Sequence, residues 1–241
     1  MALGNPARPL ASAQASERVD YLKKVLLWTT GGLAVSATTG LLTAAFLFVM
    51  AAAGVTLFFN QFVMLAIILG SYGIAQYAAP KLVFGDSKVL GFGLGAVFQG
   101  IAMGYLLLAA ISMGMQEGNP FGIVGAALAL TGLTGFGMTA YVWTGPKDFS
   151  LIRAGLSAMF LPMMVLMGLS FVVPSLFGGT LGIILSAVFV AVSAAGLLYQ
   201  VNQVMHRLST KQHIEGAYLI TMGILILYWN ILTLLMRLKR R

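Results

Sequence analysis

The stretch LLYQVNQVMHRLSTKQHIEGA, residues 197–217, is the part of this chain best equipped for chemistry. It holds both histidines, His206 and His213, with the acid Glu215 and two basic residues, between nearly pure apolar flanks. Histidine and glutamate together serve as zinc ligands and as general acids and bases. The two histidines have no third ligand nearby, and QHIEG lacks the spacing of a zinc-protease helix. The stretch therefore predicts no metal site.

The acidic residues also fail to form a catalytic pair. They lie in the N-terminal segment, in loops or at the ends of apolar runs, and they are Glu17, Asp20, Asp86, Glu117, Asp148 and Glu215. The sequence has no glycine-rich phosphate loop and no nucleophile elbow. It has no cysteine, which excludes disulfides and thiolate catalysis. We therefore expect neither an enzyme nor a cofactor, and we interpret Glu215 as a complement to a helix N-terminus.

Composition decides the class of protein. Of the 241 residues, 59% are apolar and 8% are charged, whereas soluble domains carry about 25% charged residues. The sequence therefore predicts an integral membrane protein made of helices, with the lipid bilayer as its first partner. The net charge of +8 comes from residues at the edges of apolar runs, where loops and anionic headgroups explain it, so we expect no nucleic-acid partner.

Long runs without charge set the number of spans, because a charge in mid-membrane is costly. We predict two spans in residues 25–80 with a turn at AAAGVTLFFN, one in 89–116, one in 118–146, two in 154–205 and one in 216–236. The fold class is thus an all-α membrane protein with a seven-transmembrane helix bundle. We expect a polar cytoplasmic head at 1–24, the membrane domain at 25–236 and a basic tail at 237–241.

Basic residues predict the orientation. With seven spans and a cytoplasmic N-terminus, ten Lys and Arg lie inside and four lie outside. The four on the outer side form the C-terminal RLKRR segment. A re-entrant last segment, which returns this tail to the inside, is the alternative.

Small residues at four-residue spacing predict close helix packing. The rows are Gly32, Ser36 and Gly40; Gly91 and Gly95; Gly100 and Gly104; and Ala187, Ala191 and Ala195. Neutral polar residues follow the last two predicted spans, among them Ser193, Gln200, Gln203, Thr221 and Asn230. They either join helices by hydrogen bonds or line a wet path.

Three motifs resemble the Bax inhibitor-1 family. YQVNQVMHRLST contains Tyr199, Asn202, Gln203, His206 and Arg207; PKDFS contains Lys147, Asp148 and Ser150; and LYWNILTLLMRL contains Asn230. The resemblance covers most of the chain and is most specific in the C-terminal third. It implies a seven-helix bundle with the last helix in the centre, and a bacterial member in the inner membrane.

The resemblance also implies function. Some family members leak calcium in a proton-sensitive way, and others restrain a membrane protease or cell-death machinery. The leak is attributed to two aspartates on the last two helices, and the matching positions here are Gln200 and Leu227. Neither residue can titrate or supply the negative oxygens that calcium prefers.

Three functions remain open from the sequence. The first is a family member that retains the bundle, with an ion leak, of calcium or another ion, but without the acidic pair. The second is an interaction protein that modulates a membrane-protein partner such as a quality-control protease, and the third is a transporter of a small neutral solute. A leak requires a cavity that reaches Gln200, whereas an interaction protein should be dry around Tyr199, Gln200 and Asn230.

Overall fold

The computed structural model describes residues 13–143 and 179–240. Within these ranges the chain forms six long helices and no strand. They are α1 (Ala15–Ala52), α2 (Gln61–Val83), α3 (Lys88–Gln116), α4 (Gly122–Trp143), α5 (Gly179–His206) and α6 (His213–Lys239). A 3-10 turn at Leu57–Phe59 joins α1 to α2, and α2 contains a π-helical turn at Ile74–Ala78.

Each of the six helices is long and apolar enough to cross a membrane. They match six of the seven predicted spans, because uncharged runs of this length can satisfy their backbone in lipid only as helices. The remaining predicted span falls in residues 144–178, which lie outside the described residues together with Lys147, Asp148 and Ser150.

The first helix starts ten residues before the predicted edge of the membrane domain. Residues 15–24, assigned to the polar head, are helical and continue into the first span. The backbone N–H of Gln14 donates to Glu17 Oε2 at 3.4 Å, which helps to satisfy the exposed helix N-terminus. With 38 residues α1 is about 57 Å long, well beyond a hydrocarbon core of about 30 Å.

The last helix lies at the centre of the described bundle. α6 contacts each of the other five helices, and half of its most apolar 18-residue window is buried. The same fraction of α3 is buried, against 17–22% for the other four helices. α3 and α6 therefore form the interior against which the remaining helices pack.

The small-residue rows of α1 and α3 pack closely, as predicted, and they pack against each other. Ser36 Oγ donates to the carbonyl oxygen of Ala96 at 2.8 Å, and a Cβ at Gly100 would lie 2.5 Å from the carbonyl oxygen of Ser36. The backbones are close enough that no side chain fits between them. The row on α5 behaves differently, since Ala187 and Ala191 are exposed.

The two ends of α6 lie at opposite ends of the bundle. Its first turn contacts the start of α3 through Glu215 and Lys88, and near its other end Lys239 forms an ion pair with Glu117, directly after α3. α6 is one continuous helix of 27 residues. It therefore runs from one end of the described bundle to the other.

Candidate functional site

The two positions that the resemblance assigns to the acidic pair, Gln200 and Leu227, lie on α5 and α6, which pack against each other. The side chain of Gln200 lies directly against Gly223, where an added Cβ would collide with Oε1 and lie 2.9 Å from Leu197 Cδ1. Leu227 follows Gly223 by four residues and so lies on the same side of α6.

The contact around this pair buries a polar atom together with an apolar side chain. Leu227 is 0% exposed, and Gln200 Oε1 is buried without a hydrogen-bond partner in the described part of the chain. Two cavities of about 340 and 500 Å³ open elsewhere on the described surface, and Gln200 lines neither.

The other residues of the 197–217 stretch point in different directions. Asn202 is buried, and its Oδ1 has no partner among the described residues. His206 Nε2 lies 3.5 Å from the carbonyl oxygen of Val142 at the end of α4. Tyr199, Gln203 and Asn230 are half-buried, and Arg207 is exposed. These residues do not converge on one site.

An ion pair with a buried carboxylate joins the starts of α3 and α6. Lys88, the first residue of α3, places Nζ 2.7 Å from Oε1 of Glu215 on the first turn of α6. The Glu215 side chain is 3% exposed and that of Lys88 is 39% exposed. The positive end of the α6 dipole adds to the stabilisation of the carboxylate. Sequence reasoning placed Glu215 at a helix start but missed its burial and its partner.

Tyr21 of α1 completes this cluster. Its hydroxyl lies beside Gly216, where an added Cβ would be 2.6 Å away. The Tyr21 hydroxyl and Glu215 Oε2 are both buried without a hydrogen-bond partner in the described ranges. We call Tyr21, Lys88 and Glu215 the ion-pair cluster; it joins α1, α3 and α6 at one end of the bundle.

A neutral polar layer lies next to the ion-pair cluster. Tyr218, one turn after Glu215, donates its hydroxyl hydrogen to the carbonyl oxygen of Ala75 in the π-helical turn. Such a turn leaves the normal helical pattern and exposes carbonyls to other donors. In the same layer Gln76 Nε2 donates to Gln99 Oε1 at 3.4 Å. Gly95 makes room for the Tyr218 ring, since a Cβ there would lie 2.5 Å from it.

None of these sites gathers a metal-binding set. The described residues contain no group of three or more His, Asp or Glu side chains placed to hold a metal ion. The ion-pair cluster supplies one carboxylate, which is already paired with a lysine ammonium. This positive charge disfavours a second cation beside it.

Comparison with known proteins decides the family. A family model described as inhibitor of apoptosis-promoting Bax1 matches residues 18–241. This chain belongs to the Bax inhibitor-1 family. The match covers the described helices except the first three residues of α1, and it includes the three segments that carry the resemblance.

Two bacterial relatives are similar to this family member. An uncharacterized protein of Pseudomonas aeruginosa is 34% identical over 106 residues, which cover 43% of this chain and 46% of that protein. An uncharacterized protein of Pasteurella multocida is 30% identical over 172 residues, which cover 68% of this chain and 71% of that protein. No solved structure matches the chain.

Proposed function

We propose that this Bax inhibitor-1 family member is a non-enzymatic membrane protein that binds and restrains another membrane protein, and that it does not conduct ions between Gln200 and Leu227. The observation that carries the proposal is the close contact of the Gln200 side chain with Gly223, beside a fully buried Leu227. An ion path needs water and charge at this place, and an interaction protein does not.

The physical cost of an ion at this position supports the same conclusion. Calcium binds six to eight oxygens, with carboxylates preferred, at about 2.3–2.6 Å. The α5–α6 contact offers one amide oxygen and a leucine side chain. Moving a divalent ion there would remove its hydration shell without replacing it.

The partner that fits the family resemblance is a membrane quality-control protease. We place the protein in the inner membrane of a bacterium with its N-terminus in the cytoplasm. The bacterial relatives support the location, and the excess of Lys and Arg near the N-terminal end of the bundle supports the orientation.

An ion leak that avoids these two positions is the second candidate function. Glu215 favours it, since a buried carboxylate with one free oxygen is a group on which cations or protons can act. In this case Lys88 would have to leave the carboxylate for the path to open.

Calcium flux into dye-loaded proteoliposomes, at acidic and at alkaline pH, separates the two candidates. We expect no flux through the wild type, and pH-dependent flux through a Gln200→Asp, Leu227→Asp double variant. Flux through the wild type that is lost in Glu215→Gln would establish the leak at Glu215 and overturn the proposal.

Partner binding is tested by co-purification of the membrane protease of the same organism. Because α1 begins at Ala15, the deletion that removes the head without removing Tyr21 is that of residues 1–14. We expect capture by the full chain and weaker capture by the deletion. Failure of the full chain to capture the protease in intact membranes contradicts the proposed partner.

A further inference from the structure

Two buried polar atoms of the ion-pair cluster have no hydrogen-bond partner among the described residues. They are the hydroxyl oxygen of Tyr21 on α1 and Oε2 of Glu215 on α6. Tyr21 is 1% exposed and Glu215 is 2% exposed. A buried polar group that makes no hydrogen bond is costly, so nearly all such groups in proteins bind another protein atom or an ordered water molecule. The two atoms therefore indicate a binding site for a polar ligand.

Both atoms belong to one place in the bundle. The Tyr21 hydroxyl lies beside Gly216, the residue that follows Glu215, and the Glu215 carboxylate is near enough to act on this hydroxyl electrostatically. These two described groups are not hydrogen-bonded to each other. A tyrosine hydroxyl is a donor and an ionised carboxylate is an acceptor. A ligand between them must therefore accept a hydrogen bond on one side and donate one on the other.

The charges of the site select the kind of ligand. A cation is disfavoured because the Lys88 ammonium already lies 2.7 Å from Oε1 of the same carboxylate, and the carboxylate itself disfavours an anion. A neutral molecule that both donates and accepts is left, and it must be very small because helices bury both groups. Water meets these requirements. The Lys88 ammonium can add a third hydrogen bond, which is the usual number for a buried water molecule.

The site lies close to the aqueous phase. Lys88 is the first residue of α3, which has 29 residues and is about 44 Å long. The hydrocarbon core of a bilayer is only about 30 Å thick, so the ends of such a helix extend beyond it. The Lys88 side chain is 39% exposed and leads from the surface to the buried carboxylate. A water molecule can therefore exchange with the aqueous phase along Lys88.

We propose that the ion-pair cluster binds one water molecule between Tyr21 and Glu215. The water accepts from the Tyr21 hydroxyl, donates to Glu215 Oε2 and enters along Lys88, so it joins α1 to α6. The carboxylate then has two partners, the ammonium and the water, and it stays solvated when the lysine moves. The site does not depend on whether the protein binds a protease or leaks ions.

X-ray radiolytic labelling of the purified full chain in detergent, read by mass spectrometry of its peptides, tests the proposal. Radiolysis of a bound water produces hydroxyl radicals in place, and these oxidise a neighbouring side chain even when it is buried. The matched control is Tyr218, which is 2% exposed and whose hydroxyl already donates to the Ala75 carbonyl oxygen. We expect oxidation of Tyr21 to be several-fold faster than that of Tyr218, also with a radical scavenger in the bulk solution.

Equal oxidation of the two tyrosines would mean that Tyr21 has no water beside it and would overturn the proposal. Loss of Tyr21 oxidation in the presence of the scavenger would mean that the bundle opens to bulk solvent, which also contradicts a bound water. Both comparisons use the wild type and need no variant to fold. In Glu215→Leu, which removes the acceptor, oxidation of Tyr21 should fall to the rate of Tyr218. An unchanged rate in this variant would show that Glu215 holds no water.

Discussion

Lys88 and Glu215 are 127 positions apart in the sequence, and their Nζ and Oε1 atoms lie 2.7 Å apart at the starts of α3 and α6. The carboxylate of Glu215 is buried, so it relies on Lys88 to offset its charge. The ammonium of Lys88 reaches the surface, where water also stabilises it. A buried charge that loses its partner is costly, while the loss of both charges is often tolerated.

Removing the lysine should therefore destabilise the bundle more than removing the pair. We expect Lys88→Met to cost about 2 kcal/mol, less than for a fully buried pair because Lys88 is half-exposed. Adding Glu215→Gln should restore part of that stability. Thermal unfolding in detergent measures both effects. The control is Lys24→Met in the exposed Asp20 pair, which should cost less than about 0.5 kcal/mol.

Gly91 and Gly93, both on α3, provide a matched test of the close contact between α3 and α2. A Cβ at Gly91 would lie 2.6 Å from the backbone nitrogen of Val83 and 2.8 Å from the carbonyl oxygen of Ala79, while Gly93 has open space. We expect Gly91→Ala to cost about 1–3 kcal/mol, because backbone atoms cannot move aside cheaply. Gly93→Ala should be neutral or slightly stabilising. Equal melting temperatures of the two variants would contradict this contact.

The α5–α6 contact should show coupling between Gly223 and Gln200. Gly223→Ala places a methyl group where the Gln200 side chain lies, so we expect a small loss of stability as this flexible side chain moves aside. Gln200→Ala in the same chain should recover most of that loss. A double-mutant cycle by thermal unfolding measures the coupling, and Gly196→Ala, where a Cβ meets nothing within 4 Å, is the control. If the stability changes of the two single variants simply add in the double variant, the two residues are not coupled.

The hydrogen bond from Tyr218 should hold the π-helical turn of α2. Tyr218→Phe leaves the ring beside Gly95 and removes the donor to Ala75, which should cost about 1–3 kcal/mol for the buried carbonyl. Hydrogen exchange should increase in residues 74–83 more than in α3. Unchanged exchange there would mean that the turn is held by packing alone.

The position of the C-terminal end can be tested by cross-linking, because the chain has no cysteine of its own. Lys239 and Glu117 form an ion pair between the ends of two long side chains, so a Glu117→Cys, Lys239→Cys variant should be cross-linked by a short bis-maleimide. An Asp86→Cys, Lys239→Cys variant should not, since these residues lie at opposite ends of the bundle. The reverse result would support a re-entrant last helix.

The sequence predicted the described helices well, because charges are costly inside a membrane and long runs without charge therefore mark spanning helices. It also predicted close packing at the rows that contain Ser36 and Gly100, since small residues have few other roles in a span, but it did not predict that α1 and α3 would meet there. The same rule was wrong for the exposed Ala187 and Ala191, because alanine is also an ordinary lipid-facing residue.

The ion-pair cluster could not be predicted in the same way. Its three residues come from helices that are distant in sequence, and each alone has an ordinary explanation as a residue at the end of a span. The available sequence signal for a buried charge is Glu215, which lies two residues after His213 at the start of an otherwise apolar helix. Nothing local indicated that Lys88 would meet it, and nothing in IAQYA indicated a π-helical turn.

The central place of α6 has a consequence for biosynthesis. α6 follows the other five described helices in the chain, so it leaves the ribosome after them. Until α6 is present, Lys88 on α3 lacks its partner Glu215, and the space beside Gly95 is not filled by the Tyr218 ring. The earlier helices must therefore wait in the membrane as an incomplete assembly, and a nascent chain that stalls before residue 213 presents its interior to the insertion machinery and to proteases.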